Sequence, residues 1–436
     1  MADSEVVRIL RDLLRFDTSN PPGNERPAVD YLAGILKEEG VPFEIVEPQP
    51  RRANIVARLK GDGTKAPLLL SAHLDVVPAM DGWEHPPFAA EIHDGCIWGR
   101  GAVDMKHMAA QSLVALLAIK RKGLKLKRDL IFAGVADEEA GGLAGAGYLV
   151  DHRPELIKSE FCMTEVGGIA TPINDAIIVP VQVAHKGYCW FTMRARGEAG
   201  HGSKPKKDTA IEKLAIAVEK LSTKPLHYRL TPTATKFLRA VVAAHSGASK
   251  VALKGLFYSK TVDVALKTLP KDRREVFNAM LRDTAAVTGL TAGVKVNVIP
   301  NVAEASVDGR YLPDTDQKRY LAQVQKIVGP DIELIPFDGA PGLDMAHESE
   351  LWDVIAAVMQ KHLPGCAVTP NMITGMTDAK DYARLGIRTY GFSPVLLEKG
   401  DSFAELYHAP NERISVKGLE AGSVWLNEVV EQFCAA

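Results

Sequence analysis

The chain has no Cys-x-x-Cys pair, no apolar run approaching the ~20 residues that cross a bilayer, and almost no net charge. Each shortage removes a class of function. Cys96, Cys162, Cys189, Cys366 and Cys434 are odd in number and widely spaced, which fits buried reduced thiols rather than a disulfide framework or a cysteine zinc site. Acids and bases nearly cancel to a formal charge of -2, so no general field draws nucleic acid or an anionic membrane to the chain. Lysine clusters such as Lys204, Lys206 and Lys207 read as solvated surface. The first residues, MADSEVVRIL, lack a basic stretch followed by an apolar one, and a cytoplasmic location is expected.

What is present is a chain of 436 residues, long enough for two or three domains with their own cores. Ser4 starts an amphipathic helix to about Phe16, and Pro21-Pro22-Gly23-Asn24 turns the chain into a second, to about Glu39. Strands are expected at Asn54 to Leu59 and Pro67 to Ser71, joined by a turn at Gly61-Asp62-Gly63. Helix and strand then alternate: Met105 to Lys122, Asp129 to Val135, Leu143 to Asp151, Glu160 to Thr164. That alternation predicts an α/β fold whose central sheet is covered on both faces.

From about Lys186 the texture changes. Tyr188 to Arg196, Val294 to Ile299 and Ala303 to Tyr311 read as strands, and Asp208 to Ser222 as a helix. Thr231 to His245 and Pro270 to Ala286 read as helical by apolar spacing. The catalytic pattern resumes near His347, so one discontinuous domain interrupted by an α+β insertion is expected, with parts at 1–185, 186–342 and 343–436.

The chemistry-bearing residues sit in short contexts. In Ser71 to Pro78, SAHLDVVP, His73 and Asp75 are two apart at a strand end and share a face, where a carboxylate can hold the imidazole in a metal-binding tautomer. In Gly99 to Lys106, GRGAVDMK, Asp104 precedes an apolar helix; capping would explain an Asp there, but not the glycines, which let backbone approach a crowded site. Asp137-Glu138-Glu139-Ala140-Gly141-Gly142 follows an apolar strand, where an α/β sheet presents its ligands. Thr164-Glu165-Val166-Gly167-Gly168 repeats the theme after the next strand, and Tyr407-His408-Ala409-Pro410-Asn411-Glu412 adds an imidazole far along the chain. Each alone has a structural reading, as a satisfied core histidine or a solvated acidic turn. Gly142 to Gly147, GLAGAG, lacks the G-x-G-x-x-G spacing of a nucleotide loop and reads as a helix entry. Together, carboxylate and imidazole donors from separate loops suit a pair of divalent cations, whose roughly four positive charges they neutralise.

On these segments the chain resembles the metallopeptidase and amidohydrolase family containing aminoacylase, acetylornithine deacetylase, succinyl-diaminopimelate desuccinylase, carboxypeptidase G and carnosinase, over nearly its whole length. The resemblance implies a zinc-peptidase-like catalytic domain with a central mixed sheet, interrupted by a lid or dimerisation domain through which a homodimer forms. It implies two metal ions, zinc first and cobalt or manganese as alternatives. His73 and Glu165 would hold one, Glu139 and His408 the other, and Asp104 would bridge them. Asp75 would orient His73, Glu138 would be the general base, and the Asp104-Met105 peptide would be cis.

In the inserted domain, Gly200-His201-Gly202-Ser203-Lys204-Pro205 is similar to the segment whose histidine polarises the scissile carbonyl. Asn297 in VNVIP and Arg310 in VDGRY correspond to substrate contacts. Gly375 opens GMTDAK, similar to a substrate loop in which Lys380 replaces the usual arginine and cannot form its planar two-pronged pair with a carboxylate. A Glu at position 165 accompanies aminoacylase and carboxypeptidase-like members. The expected reaction is therefore hydrolysis of an amide bond in an N-acyl amino acid or small peptide with a free carboxylate. The alternatives are a dedicated biosynthetic deacetylase or desuccinylase, and a catalytically silent metal- or peptide-binding protein.

Overall fold

The computed structural model describes residues 3–397 and 406–436. The chain divides into two compact units, the first Met1–Val183, Met345–Asn371 and Thr377–Ala436, the second Ala184–Asp344 with Met372–Met376.

The first unit is built on a mixed sheet with the strand order Phe43–Gln49, Arg52–Leu59, Leu130–Val135, Leu68–His73, Phe161–Thr164, Arg388–Gly391, Ala176–His185, Ile169–Ile173 and Val395–Leu396. Its centre is parallel: Leu68–His73 lies between Leu130–Val135 and Phe161–Thr164, and Arg388–Gly391 continues beside the latter. These central strands are apolar runs rather than alternating ones because both faces are covered. Leu68, Leu70 and Ala72 enter one apolar cluster with Leu13, Leu113 and Leu426 from helices Glu5–Leu14, Lys106–Arg121 and Val416–Cys434. Leu69, pointing the other way as the strand period of two requires, enters a second cluster with Ile131, Leu149 and Tyr382. Because the three central strands run the same way, their carboxyl ends fall on one edge. That edge carries His73, the Asp137 to Glu139 turn and Glu165.

In the second unit an antiparallel sheet of order Thr284–Ala292, Val302–Tyr311, Gly187–Arg196, Ile332–Ala340 buries one face. Phe191, Met193, Ala305 and Val307 alternate inward against Leu214, Leu221, Tyr320 and Val324 of helices Ala210–Thr223 and Gln317–Val328. The first of these helices starts at a capping box: Thr209 Oγ1 accepts the Glu212 N–H, and the Glu212 carboxylate accepts the Thr209 N–H. Further helices of the unit are Pro232–Ala243, Gly247–Lys254, Val262–Lys267 and Lys271–Leu281.

The strands joined by the turn at Gly61 to Gly63 are not neighbours in the sheet, because Leu130–Val135 lies between them, antiparallel to one and parallel to the other. Two expectations need correction. The helix expected through Ala286 stops at Leu281, and Thr284–Ala292 is instead an edge strand paired with Val302–Tyr311. Of the strand expected from Val294, only Val298–Ile299 forms, against Gly200–His201. No helix among the described residues is long and apolar enough to cross a membrane.

Candidate metal centre and active site

Three parallel strands end side by side, and each is followed by a carboxylate or imidazole. His73 closes its strand and is fully buried. Its Nδ1 lies 2.9 Å from the carbonyl oxygen of Asp75, which can only accept, so Nδ1 carries the proton of the neutral ring. Nε2 then presents its lone pair to Asp104 Oδ1 at 3.1 Å and Glu165 Oε2 at 3.6 Å. The partner that sets the tautomer is thus the Asp75 carbonyl, not its carboxylate as the sequence suggested; Oδ1 is 3.6 Å from Nδ1. The Asp75 carboxylate instead accepts the N–H groups of Glu138 and Glu139, each at 3.1 Å, and Asn20 Nδ2 at 2.8 Å. It fixes the turn that carries the two acids.

Asp104 stands between two groups of donors. Oδ1 faces His73, and Oδ2 lies 3.2 Å from His408 Nε2, which is also 3.2 Å from Glu139 Oε2. Two sets therefore share one carboxylate: His73, Asp104 and Glu165, and Asp104, Glu139 and His408, the donor atoms of each within 4.8 Å of one another. The Asp104-Met105 peptide is cis. Asp137, Val166 and His408 all have positive φ, at 71°, 61° and 61°. Non-glycine residues in this region are uncommon and cluster where function overrides local preference.

The electrostatics are those of a shell built around positive charge. Burial, then the neighbouring Glu165 charge, pushes the Glu138 carboxyl well above its ordinary range, and burial lifts Glu165 to about 7. Burial would also raise Asp104, but the hydrogen bond with His408 works against it and that carboxyl is held low. His408 is raised to about 10 by its contacts with Asp104 and Glu139. Among the described residues Glu139 Oε1 is buried without a hydrogen-bond partner, an arrangement that costs free energy unless something positive meets it. A buried imidazole lone pair aimed at two carboxylates has the same need. The residues present fit a pair of divalent cations: nitrogen and oxygen donors, one carboxylate common to both sets, and an orphaned carboxylate oxygen at the centre.

A supporting shell went unread in the sequence. Glu412 is fully buried and accepts the N–H groups of Gly101, Val103 and Asp104 at 2.8–3.0 Å and Arg100 Nη1 at 2.8 Å; burial still lifts it to about 7. It follows His408 in the same short segment, yet nothing local points to the loop it ties. Gly101, at φ 90°, leaves no room for a side chain, whose Cβ would sit 2.7 Å from Val76 Cγ1. On the other side Arg52 pairs with both oxygens of Glu25 at 2.9 Å and with Asp137 Oδ1 at 2.7 Å, bracing the turn before Glu138.

The four remaining predicted residues belong to the second unit. His201 pairs in register with Val298, and Asn297 accepts the Gly202 N–H at 2.9 Å, so His201 and Asn297 are neighbours. The Ser203 N–H donates to His201 Nδ1 at 3.2 Å, leaving Nε2 to carry the proton of the neutral ring. Arg310 is engaged by Asp308 through two hydrogen bonds, at 2.8 and 3.2 Å. Gly375 faces open space.

Comparison with known proteins places this geometry. Residues 69–432 match the model of Peptidase family M20/M25/M40. The chain belongs to that family. This M20 member is 30% identical over 388 residues to the N-fatty-acyl-amino acid synthase/hydrolase PM20D1 of Bos taurus, covering 86% of this chain and 75% of the other. It is 27% identical over 442 residues to Aminoacylase-1 of Dictyostelium discoideum, 96% of each chain. Among solved structures, the M20 family metallo-carboxypeptidase Sso-CP2 from Sulfolobus solfataricus aligns with a TM-score of 0.71 at 19% identity, over 99% of both chains. The α/β fold with an inserted α+β unit is the M20 fold, and by class the chain is a metal-dependent hydrolase of amide or peptide bonds.

Proposed function

We propose that this M20 member hydrolyses N-acyl amino acids or small peptides bearing a free carboxylate, as an aminoacylase or carboxypeptidase-like enzyme with two metal ions. The observation that carries the reading is the position of Asp104, one oxygen toward His73 and the other toward His408. In this reading His73 and Glu165 hold one ion, Glu139 and His408 the other, and Asp104 both. The mixed imidazole and carboxylate donors suit zinc, with cobalt or manganese as substitutes. Bound there, the ions supply Lewis acidity, which can lower the pKa of water from 15.7 to about 7.

The chain's own groups do the rest. Glu138, on the same short turn as Glu139 and held by Asp75, takes the proton of the attacking water as the new C–O bond forms. It returns that proton to the nitrogen as the C–N bond breaks, so the carboxylate is regenerated. His201 Nε2–H donates to the carbonyl oxygen as negative charge develops, supplied by its own chain or by a partner subunit. Asn297, Arg310 and the Gly375 loop receive the substrate's carboxylate end; for Arg310 this requires exchanging Asp308 for substrate.

Two relatives bear names that speak of acyl amino acids, which favours N-acyl substrates over free peptides. The open edge of Thr284–Ala292, with Leu290 66% exposed beside exposed Ile211 and Ile216 of the flanking helix, supports pairing with a second copy. Five free cysteines, four of them buried, support a reducing, cytoplasmic setting. The test is a panel of N-acyl amino acids of graded acyl length alongside dipeptides, assayed with zinc, cobalt and manganese. Metal-dependent release of the free amino acid is expected. Turnover of dipeptides alone would overturn the N-acyl assignment.

A further inference from the structure

Outside this shell a second cluster of donors stands on a small sheet. His85, Glu91 and His93 each offer one donor atom, and these atoms lie within 4.8 Å of one another. His93 Nε2 is 2.8 Å and His85 Nδ1 3.8 Å from the same Glu91 oxygen. Two ligands held 2.0–2.1 Å from a tetrahedral ion stand about 3.4 Å apart, so the two distances bracket that value. The rings stack face to face, centroids 3.6 Å apart and 5° from parallel. The side chains are 26% to 46% exposed, which lets the rings turn edge-on to an ion and lets the ion arrive from solvent.

The frame beneath is rigid. Glu91 immediately precedes the strand Ile92–His93 that ends on His93. Ile92–His93 and Cys96–Trp98 form a hairpin whose turn, Asp94-Gly95, has positive φ at both positions, 50° and 75°. Trp98 N–H donates to the Glu91 carbonyl at 2.9 Å, its ring Nε1 donates to the His93 carbonyl at 3.3 Å, and its edge packs on His85 at 4.6 Å. On its outer side Arg413 covers the ring at 4.8 Å.

We propose that His85, Glu91 and His93 form a third cation site, selective for late first-row divalent ions such as zinc, nickel or copper. Two imidazoles with one carboxylate suit those ions better than calcium or magnesium, which take oxygen ligands. Three protein ligands leave a position for water. The site acts as a clamp. Glu84, next to His85, exchanges two hydrogen bonds with Asn411: its N–H donates to Asn411 Oδ1 at 2.8 Å, and Asn411 Nδ2 donates to Glu84 Oε1 at 3.1 Å. Asn411 lies between His408 and Glu412, so an ion that fixes His85 also fixes the segment bearing both.

The test compares the full-length protein with His93→Ala and Glu91→Gln after stripping and reloading with zinc, by elemental analysis following gel filtration. One zinc equivalent more in the wild type than in either variant is expected. Equal zinc in all three overturns the site. The comparison reads a difference of one equivalent, so it stands or falls separately from whatever the Asp104 shell holds. Thermal unfolding tests the clamp: zinc should raise the Tm of the wild type further than that of His93→Ala, and equal increments would remove the clamping role.

Discussion

The carboxylate of Glu412 accepts the backbone N–H of Asp104 at 3.0 Å, so the residue shared by both donor sets is positioned from the far end of the chain. The same carboxylate neutralises buried Arg100. Removing it leaves a buried guanidinium and three N–H groups without their acceptor, and breaking a buried pair this way costs about 3–5 kcal/mol.

Glu412→Ala should therefore lose stability of that size in urea unfolding of the metal-free protein, and Glu412→Gln distinctly less, since the amide keeps one acceptor oxygen. A loss below about 1 kcal/mol for the alanine variant would show that the Gly99 to Asp104 loop holds itself.

Asp104 serves both donor sets, whereas His408 serves one. Metal content should follow: Asp104→Ala loses both ions of the pair, while His408→Ala loses one and keeps the ion at His73 and Glu165. Elemental analysis against the wild type decides, with the His85 cluster intact in all samples. Equal losses in the two variants would argue against a shared ligand.

Lys186 offers a pH test in the second unit. Its ammonium is buried, donates to the carbonyls of Ala279 and Arg282 and to Thr284 Oγ1 at 2.9–3.1 Å, and burial pushes it from 10.5 down to about 7. Below about 7 both folded and unfolded chains hold the proton. From about 7 to 10.5 the unfolded chain holds a proton that the folded one has released, so stability rises with pH, by up to about 1.4 kcal/mol per unit. The stability of the wild type minus that of Lys186→Met should rise across that window and be flat below it. A difference independent of pH would show that Lys186 stays charged.

For His201 the expected signature is a split between chemistry and metal. A donor aimed at developing oxyanion charge is worth about 10²–10³ in kcat, so His201→Ala should lose that much with zinc content unchanged. Unchanged kcat would take His201 out of the reaction.

What was legible in the sequence was whatever is written locally. His73, Glu138, Glu139 and Glu165 follow apolar runs and sit beside turn residues, so their place at strand ends could be read without knowing which strands are neighbours. The helix from Lys106 and the strand from Gly187 were equally plain, because periodicity alone sets them. The supporting contacts were not legible. Arg52 meets Asp137 across 85 residues and Glu412 meets Asp104 across 308, and no motif records such a pairing. Strand order was not legible for the same reason: the arms of the turn at Gly61 to Gly63 are separated in the sheet by Leu130–Val135. The Asp75 carbonyl, not its side chain, sets the His73 tautomer, and a backbone atom leaves no trace in residue type.

The most direct measurement is kcat for Glu138→Gln in protein shown to carry its full metal complement. The amide keeps the shape and the backbone bond to Asp75 but cannot accept a proton, so kcat should fall by about 10²–10⁴ with metal content at the wild-type level. Wild-type kcat in the metal-replete variant would contradict the central claim that this carboxylate moves the proton.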